Sequence, residues 1–192
     1  MLIGLMGKSG SGKSLISMLL KDLDSKIQIV DVDKIGHKSH CDPEVREKLR
    51  KYFRPEIFNE DGTVNRAKLG NIVFSDYTKM QLLYDATYEY MVSQIDEIIK
   101  RAEITVLDYA LLPLTKYYEL CDIKILVEAP TDVRKCRAVK RDGISDEKYA
   151  IRDKNSLDYS AYSFDYIIQN DSDMTNLRKM VGEIYEKSIV PR

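Results

Sequence analysis

Residues near the N-terminus combine glycines, a lysine and a serine at a spacing that suits phosphate binding. Residues 7–14 read GKSGSGKS and fit the pattern G-x-x-x-x-G-K-[ST] at every fixed position. Glycines let backbone amides close around phosphate oxygens, and a following helix adds the unpaired amides of its N-terminus. A chain of this length matches the pattern by accident only about 1% of the time. The motif therefore predicts that ATP is bound by one continuous segment: Gly7, Lys8, Ser9, Gly10, Ser11, Gly12, Lys13, Ser14 and Leu15.

Lys13 and Ser14 close this motif, and each has its own chemical role. The Lys13 ammonium suits the β- and γ-phosphates of ATP, and the Ser14 hydroxyl suits Mg²⁺. Asp108 ends an apolar run over residues 104–107, an arrangement in which a carboxylate holds Mg²⁺ directly or through water. The alternative for Asp108 is a solvated strand end. The phosphate motif favours the metal-binding role, so we predict ATP and Mg²⁺ as cofactors, with Ser14 and Asp108 as metal ligands.

A pair of carboxylates follows the second apolar run of the chain. Asp31 and Asp33 end this run in the sequence VDVD, and the two-residue period of a strand places both on one side. The carboxyl ends of strands in an open parallel sheet face the ligand crevice. A carboxylate there can accept the proton of an attacking hydroxyl and orient it toward the γ-phosphorus. We therefore predict that Asp33 is catalytic; the alternative is that Asp33 caps the following helix.

Basic residues concentrate in a predicted helix of the C-terminal half. Charged runs on helices are commonly solvated faces. Phosphoryl transfer, however, needs cations around the equatorial oxygens of the transferred group, and the N-terminal motif supplies only Lys13. We predict that Arg141 is a lid arginine and, with Lys13 and Asp33, a catalytic residue. Three arginines of this segment share one helical face, and its basic residues are Arg134, Lys135, Arg137, Lys140 and Arg141.

Short apolar runs alternate with helical patterns along most of the chain. The runs predict strands at residues 2–6, 27–31, 104–108, 123–127 and 166–169. Helices are predicted between and after them at residues 15–23, 132–141 and 173–187. The alternation predicts an α/β protein of the P-loop NTPase kind, with three layers, α/β/α, built on a five-stranded parallel sheet.

The alternation stops between residues 37 and 102, where only helical patterns occur. Helices are predicted at residues 43–52, 66–74 and 77–102, and the third carries one apolar stripe. We expect residues 1–36 and 103–192 to form the nucleotide-binding core, with a short helical lid at about residues 138–160. Small-molecule kinases commonly hold the acceptor in a helical insertion at this point, so by analogy we assign acceptor binding to residues 37–102.

Composition and charge limit the partners. Lys plus Arg number 30 and Asp plus Glu number 31, so the net charge of −1 gives no general attraction for nucleic acid or anionic membranes. The sequence shows no signal peptide and no long apolar run, so we expect no membrane partner and a cytoplasmic location. The three cysteines are expected to be reduced thiols. A zinc site needs four ligands, so His37, His40 and Cys41 are expected to be solvated residues. We expect a monomer or a weak homo-oligomer.

These motifs together resemble the dephospho-CoA kinase family over nearly the whole chain. The segment IVDVDKIGH is similar to the family's Asp-x-Asp segment, and FNEDGTVNRAKLGNIVF is close to its signature in the CoA-binding insertion. LDYALL resembles the third-strand motif, KRDGIS the lid, and FDYIIQNDS the strand and turn near the adenine. The resemblance implies that Asp33 is the base and that Arg141 contacts phosphate.

The reaction implied by this resemblance is ATP plus dephospho-CoA giving ADP plus CoA, with the ribose 3′-hydroxyl as acceptor. This is the last step of CoA biosynthesis. One alternative is a P-loop kinase of another nucleoside, nucleotide or sugar. Another is a catalytically weak, ATP-sensing relative, which the presence of both Lys13 and Asp33 disfavours. A GTPase switch is disfavoured because the sequence lacks an Asn-Lys-x-Asp motif.

Overall fold

The computed structural model describes residues 1–73, 75–171 and 173–190, with Tyr77 described by its backbone alone. Two compact units are present. The first comprises Met1–Asp31 and Ile98–Arg192, and the second comprises Val32–Glu97. Phe74 and Ser172, which end two of the family-like segments, lie outside the described residues. The assignment of acceptor binding to the helical insertion stays a prediction.

A five-stranded parallel sheet forms the centre of the first unit, with strand order β2-β3-β1-β4-β5. The five predicted strands are confirmed, with small changes at their ends. Parallel neighbours need crossover connections, which is why helical segments separate the strands in sequence. The strands are β1 (Leu2–Met6), β2 (Gln28–Asp31), β3 (Thr105–Asp108), β4 (Ile123–Glu128) and β5 (Tyr166–Gln169).

Helices account for most of the remaining described residues. The predicted helix at residues 15–23 begins earlier, at Lys13, and the one predicted at residues 173–187 is shorter and continues as a π-helical turn at Tyr185–Ile189. The helices are α1 (Lys13–Leu23), α2 (Val32–Ser39), α3 (Pro43–Tyr52), α4 (Arg66–Val73), α5 (Tyr77–Arg101), α6 (Tyr117–Leu120), α7 (Thr131–Asp142), α8 (Asp146–Lys154) and α9 (Met174–Ile184).

The strand β1 lies in the middle of the sheet and is buried along its whole length. One continuous apolar cluster joins residues of the sheet to α1 and α9, which accounts for the unbroken apolar runs read from the sequence. A side chain at Gly4 would collide with Leu112 and Cys121, so β1 has close neighbours there as well. The loop that follows β1 therefore begins at a buried, closely packed strand.

The second unit is helical and has its own apolar core, built from α3, α4 and α5. The Asp42 side chain begins α3 by accepting hydrogen bonds from the backbone amides of Glu44 and Val45. Among the described residues, no helix is long and apolar enough to cross a bilayer, and this includes the 25-residue α5.

The helix α2 corrects the strand prediction for Asp33. The strand β2 ends at Asp31, and Asp33 lies in the first turn of α2. The buried residues Val32, Ile35 and Ser39 follow a helical spacing, so the two-residue alternation assumed for VDVD does not apply. The alternative role of Asp33 as the N-cap of this helix is wrong as well, because Asp33 lies inside α2 and not before its first residue.

His40, which was expected to be solvated, is half-buried in the structure, and this burial predicts a pH-dependent stability. Burial lowers the pKa of His40 from 6.5 to about 4, with His37 and Arg66 acting in the same direction. Between these two pH values the unfolded chain binds the proton and the folded chain does not, so stability is lost as the pH falls from 6.5. We expect the Tm of the wild type to fall more steeply across this window than that of His40→Gln. Thermal unfolding at several pH values measures the difference, and parallel Tm curves would contradict the assignment.

Candidate active site

The loop between β1 and α1 takes a conformation that only glycine tolerates at its key positions. Gly10 and Gly12 have φ angles of 81° and 99°, in the left-handed region that other residues rarely adopt. A side chain at Gly10 would collide with the backbone carbonyl of Arg134, and one at Gly12 with the side-chain amide of Asn170. The glycines of the motif are thus required both by backbone shape and by close packing.

Lys13 and Ser14 are the first two residues of α1, at the end of the helix where backbone amides lack partners. The Lys13 ammonium curls back and donates to the Gly7 carbonyl over 3.0 Å. The Ser14 hydroxyl donates to a carboxylate oxygen of Asp108 over 3.2 Å. The structure therefore brings together the two residues that the sequence analysis paired as metal ligands, although they are far apart in sequence.

Two carboxylates end adjacent strands beside the loop. Asp31 and Asp108 are direct partners in the parallel register of β2 and β3, so their side chains leave the sheet on the same side. Asp108 is almost fully buried. The Ser14 hydroxyl and the Asp108 carboxylate are hard oxygen donors, which suit Mg²⁺, an ion that completes its shell with water and substrate phosphates. Within the described residues, no three His, Cys, Asp or Glu side chains are grouped to hold a metal.

Asn170 is a buried anchor of the loop that the sequence analysis did not single out. Its side-chain amide donates to the Ser11 carbonyl over 2.7 Å, and its backbone amide donates to the Glu128 carbonyl over 2.7 Å. Arg137 donates to the Asn170 carbonyl over 3.3 Å. A signal existed in the sequence, because Asn170 directly follows an apolar strand, the same signal that identified Asp108.

The basic residues of α7 do not share one task. Arg134 is buried and donates to the Ala129 carbonyl and the Tyr149 hydroxyl over 3.1 and 3.0 Å. It also pairs with Asp153, and the hydrogen bond from Arg134 holds the pKa of that carboxyl below its usual range. Arg134 thus joins α7 to α8. Sharing a helical face with Arg141 did not indicate a shared function.

Arg141 lies next to the phosphate-binding loop. One of its terminal nitrogens is 3.4 Å from the Ser9 hydroxyl. Its guanidinium also donates two hydrogen bonds to the Asp142 carboxylate, over 2.7 and 3.0 Å. Arg152 donates a hydrogen bond to the same carboxylate. These hydrogen bonds, first that from Arg141 and then that from Arg152, keep the pKa of Asp142 low. The charged form of Asp142 is therefore favoured, and it fixes the orientation of Arg141.

We expect Arg141→Ala to lower kcat by roughly 10²-fold with a smaller change in KM for ATP, because its charge acts on the transferring group. Steady-state kinetics with varied ATP measures both constants. Lys135→Ala is the matched control, since Lys135 lies on the same helix and pairs with Asp146 on α8. A rise in KM alone would mean that Arg141 only binds nucleotide in the ground state.

Asp33 belongs to α2 in the second unit. Its catalytic role stays a prediction, as do the roles of Lys13 and Arg141 and the metal-binding role of Ser14 and Asp108. The structure does establish that Lys13, Ser14 and Asp108 lie at one edge of the sheet.

A glycine-rich loop after the central strand, followed by a helix that begins with Lys-Ser and faced by an acidic strand end, is the arrangement of the P-loop kinases. Residues 1–176 match the sequence profile of a family described as dephospho-CoA kinase. The chain belongs to the dephospho-CoA kinase family.

Individual relatives agree with this assignment. The chain is 32% identical to a dephospho-CoA kinase of Aquifex aeolicus, over 96% of each chain. A solved structure of the Thermus thermophilus protein TT1252 superposes with a TM-score of 0.80 at 24% identity, over 98% of each chain. A dephospho-CoA kinase from Campylobacter jejuni superposes with a TM-score of 0.65 at 19% identity, over 97% of this chain and 96% of the other. These two solved structures support the fold.

Proposed function

We propose that this protein transfers the γ-phosphoryl group of ATP to the ribose 3′-hydroxyl of dephospho-CoA, giving ADP and CoA. The observation that carries the proposal is the contact between Ser14 and Asp108 beside Lys13, in a chain that matches the dephospho-CoA kinase family over residues 1–176. The two residues that we assign to the metal are therefore in contact, next to the lysine that we assign to the phosphates, and the family supplies the acceptor.

Binding of ATP uses the loop from Gly7 to Leu15. Backbone amides at the start of α1 point toward the phosphates, and the helix dipole favours their negative charge. The Lys13 ammonium, which is bonded to the Gly7 carbonyl, is close enough to the loop to contact the β- and γ-phosphate oxygens. Arg141 approaches the same loop at Ser9. Two cations of the chain thus neutralise the charge of the transferring group.

The chemical step is an in-line displacement at the γ-phosphorus. The 3′-oxygen of the acceptor forms a bond to this phosphorus while the bond to the bridging oxygen of ADP breaks. We assign Asp33 as the group that accepts the proton of the 3′-hydroxyl. Asp33 lies in the first turn of α2, and its carboxylate is the proton acceptor in this scheme.

Ser14 and Asp108 are the residues that would hold Mg²⁺ in this scheme. When bound, Mg²⁺ offsets the negative charge of the β- and γ-phosphates. The near-complete burial of Asp108 limits competition from bulk water, and its bond to Ser14 sets the direction of both oxygens. We also propose a cytoplasmic location and a monomeric or weakly associating protein.

An acceptor competition tests the proposal. Purified protein with ATP is given dephospho-CoA, a nucleoside, a nucleotide or a sugar, each at several concentrations. We expect kcat/KM for dephospho-CoA to exceed the others by about 100-fold or more, since a site with polar groups for one acceptor rejects those that leave them unpaired. A higher kcat/KM with another acceptor would leave the protein a kinase but would contradict the assignment of dephospho-CoA as its acceptor.

A further inference from the structure

A buried tyrosine hydroxyl is hydrogen-bonded to the first residue of the phosphate-binding loop. Tyr159 follows α8 and is only 8% exposed. Its ring packs edge-on against Phe164, with 6.0 Å between ring centroids. The Gly7 amide donates to the Tyr159 hydroxyl over 3.1 Å, and this hydroxyl donates to the Ala110 carbonyl over 2.7 Å. The side chain therefore bridges two backbone segments from the inside of the protein.

Both bridged segments carry residues of the candidate active site. Gly7 begins the loop, and its own carbonyl accepts the hydrogen bond from the Lys13 ammonium. Ala110 follows closely after Asp108, whose carboxylate accepts the hydrogen bond from Ser14. One hydroxyl thus connects the residue that anchors Lys13 to the segment that follows Asp108.

We propose that Tyr159 is a positioning residue that sets the spacing between Lys13 and Asp108 by bonding Gly7 and Ala110. This inference rests on the proposed function for its catalytic consequence, but its effect on ATP binding stands on the loop alone. Loss of the hydroxyl would leave the buried Gly7 amide and the partly buried Ala110 carbonyl without this partner, and such groups shift to find another. Displacements of about 1 Å in a reacting geometry can reduce rates by 10²-fold.

The chain contains a closely matched control. Tyr118 is 7% exposed and packs edge-on against Tyr162, with 5.6 Å between ring centroids. Its hydroxyl also bonds two backbone groups, donating to the Ser163 carbonyl over 2.6 Å and accepting from the Ser163 amide over 3.0 Å. Neither bond involves the phosphate-binding loop. If the two hydroxyls have only a structural role, removal of either one should therefore have similar effects on stability and activity.

The test compares Tyr159→Phe with Tyr118→Phe in the full-length protein. ATP affinity is measured by titration calorimetry without acceptor, kcat is measured at saturating ATP with dephospho-CoA, and Tm is measured by thermal unfolding. We expect both variants to lose similar Tm. We expect Tyr159→Phe alone to weaken ATP binding by about fivefold and to lower kcat by about tenfold, since phosphate contacts strengthen in the transition state.

Wild-type ATP affinity and kcat in Tyr159→Phe, with a lowered Tm, would overturn the inference and leave a structural role. Equal losses of activity in both variants would do the same. If the wild type fails to phosphorylate dephospho-CoA, the proposed function fails, and ATP affinity alone then decides the role of Tyr159. If Tyr159→Phe does not fold, hydrogen exchange in the wild type decides it, because the inference requires a Gly7 amide that exchanges slowly without nucleotide.

Discussion

Lys13→Ala is expected to lower phosphoryl transfer by at least about 10³-fold while the protein stays folded, because removal of one preorganised charge contact to the transferring group has effects of this order. The ammonium lies over the loop, bonded to the Gly7 carbonyl. Alanine is the best helix former, so the start of α1 should tolerate it. Turnover and Tm on one preparation measure the two effects.

Lys21→Ala is the control for this change. Lys21 lies on the same helix, and its ammonium donates to the Ser25 and Ile27 carbonyls over 2.7 and 2.6 Å, away from the loop. We expect it to lose stability and to keep turnover within about twofold of the wild type, as a group that makes no contact to the transition state should. Wild-type turnover in a folded Lys13→Ala protein would remove the phosphate-binding role from this loop.

Asp33→Asn should reduce kcat by roughly 10²–10⁴-fold with little change in ATP affinity, which is the usual scale for losing a positioned general base. Asn is nearly isosteric with Asp, so the first turn of α2 should survive. What it lacks is the charge that accepts the proton of the acceptor hydroxyl. Nucleotide affinity and single-turnover rate, measured on one preparation, separate binding from chemistry.

Asp42→Asn controls for the chemical change itself. Asp42 starts α3 in the same unit, where its carboxylate accepts two backbone hydrogen bonds, and Asn caps a helix about as well as Asp. We expect its single-turnover rate to match the wild type. A rate in Asp33→Asn equal to that of Asp42→Asn would exclude Asp33 from the chemistry and direct attention to Asp31 or Asp108.

The sequence predicted the sheet because burial on both faces leaves unbroken apolar runs, as in the fully buried β1. The same logic found Asp108, which ends a run of this kind. It failed at Asp33, because the two-residue period of a strand was applied beyond the end of β2. Val32 is instead the first residue of a helix whose buried side chains are three and four residues apart. Local composition could not distinguish these two periods over so few residues.

The neighbours of the loop could not be predicted, because they come from distant segments. Tyr159 and Asn170 are more than 150 residues from the loop atoms that they bond, and no local pattern encodes such pairing. Arg134 and Arg141 looked equivalent on one helical face. Only the packing of α8 shows that Arg134 is buried against it, while Arg141 reaches Ser9.

The most direct test of the central claim is ADP formation by the purified wild-type protein with and without dephospho-CoA, with CoA measured in the same samples. The account predicts that ADP stays near background without acceptor, because the γ-phosphoryl group has no positioned hydroxyl to accept it. With dephospho-CoA, one CoA should form for each ADP. ADP released at the same rate in both samples, or ADP formed without CoA, would contradict the assignment of this protein as a kinase of dephospho-CoA.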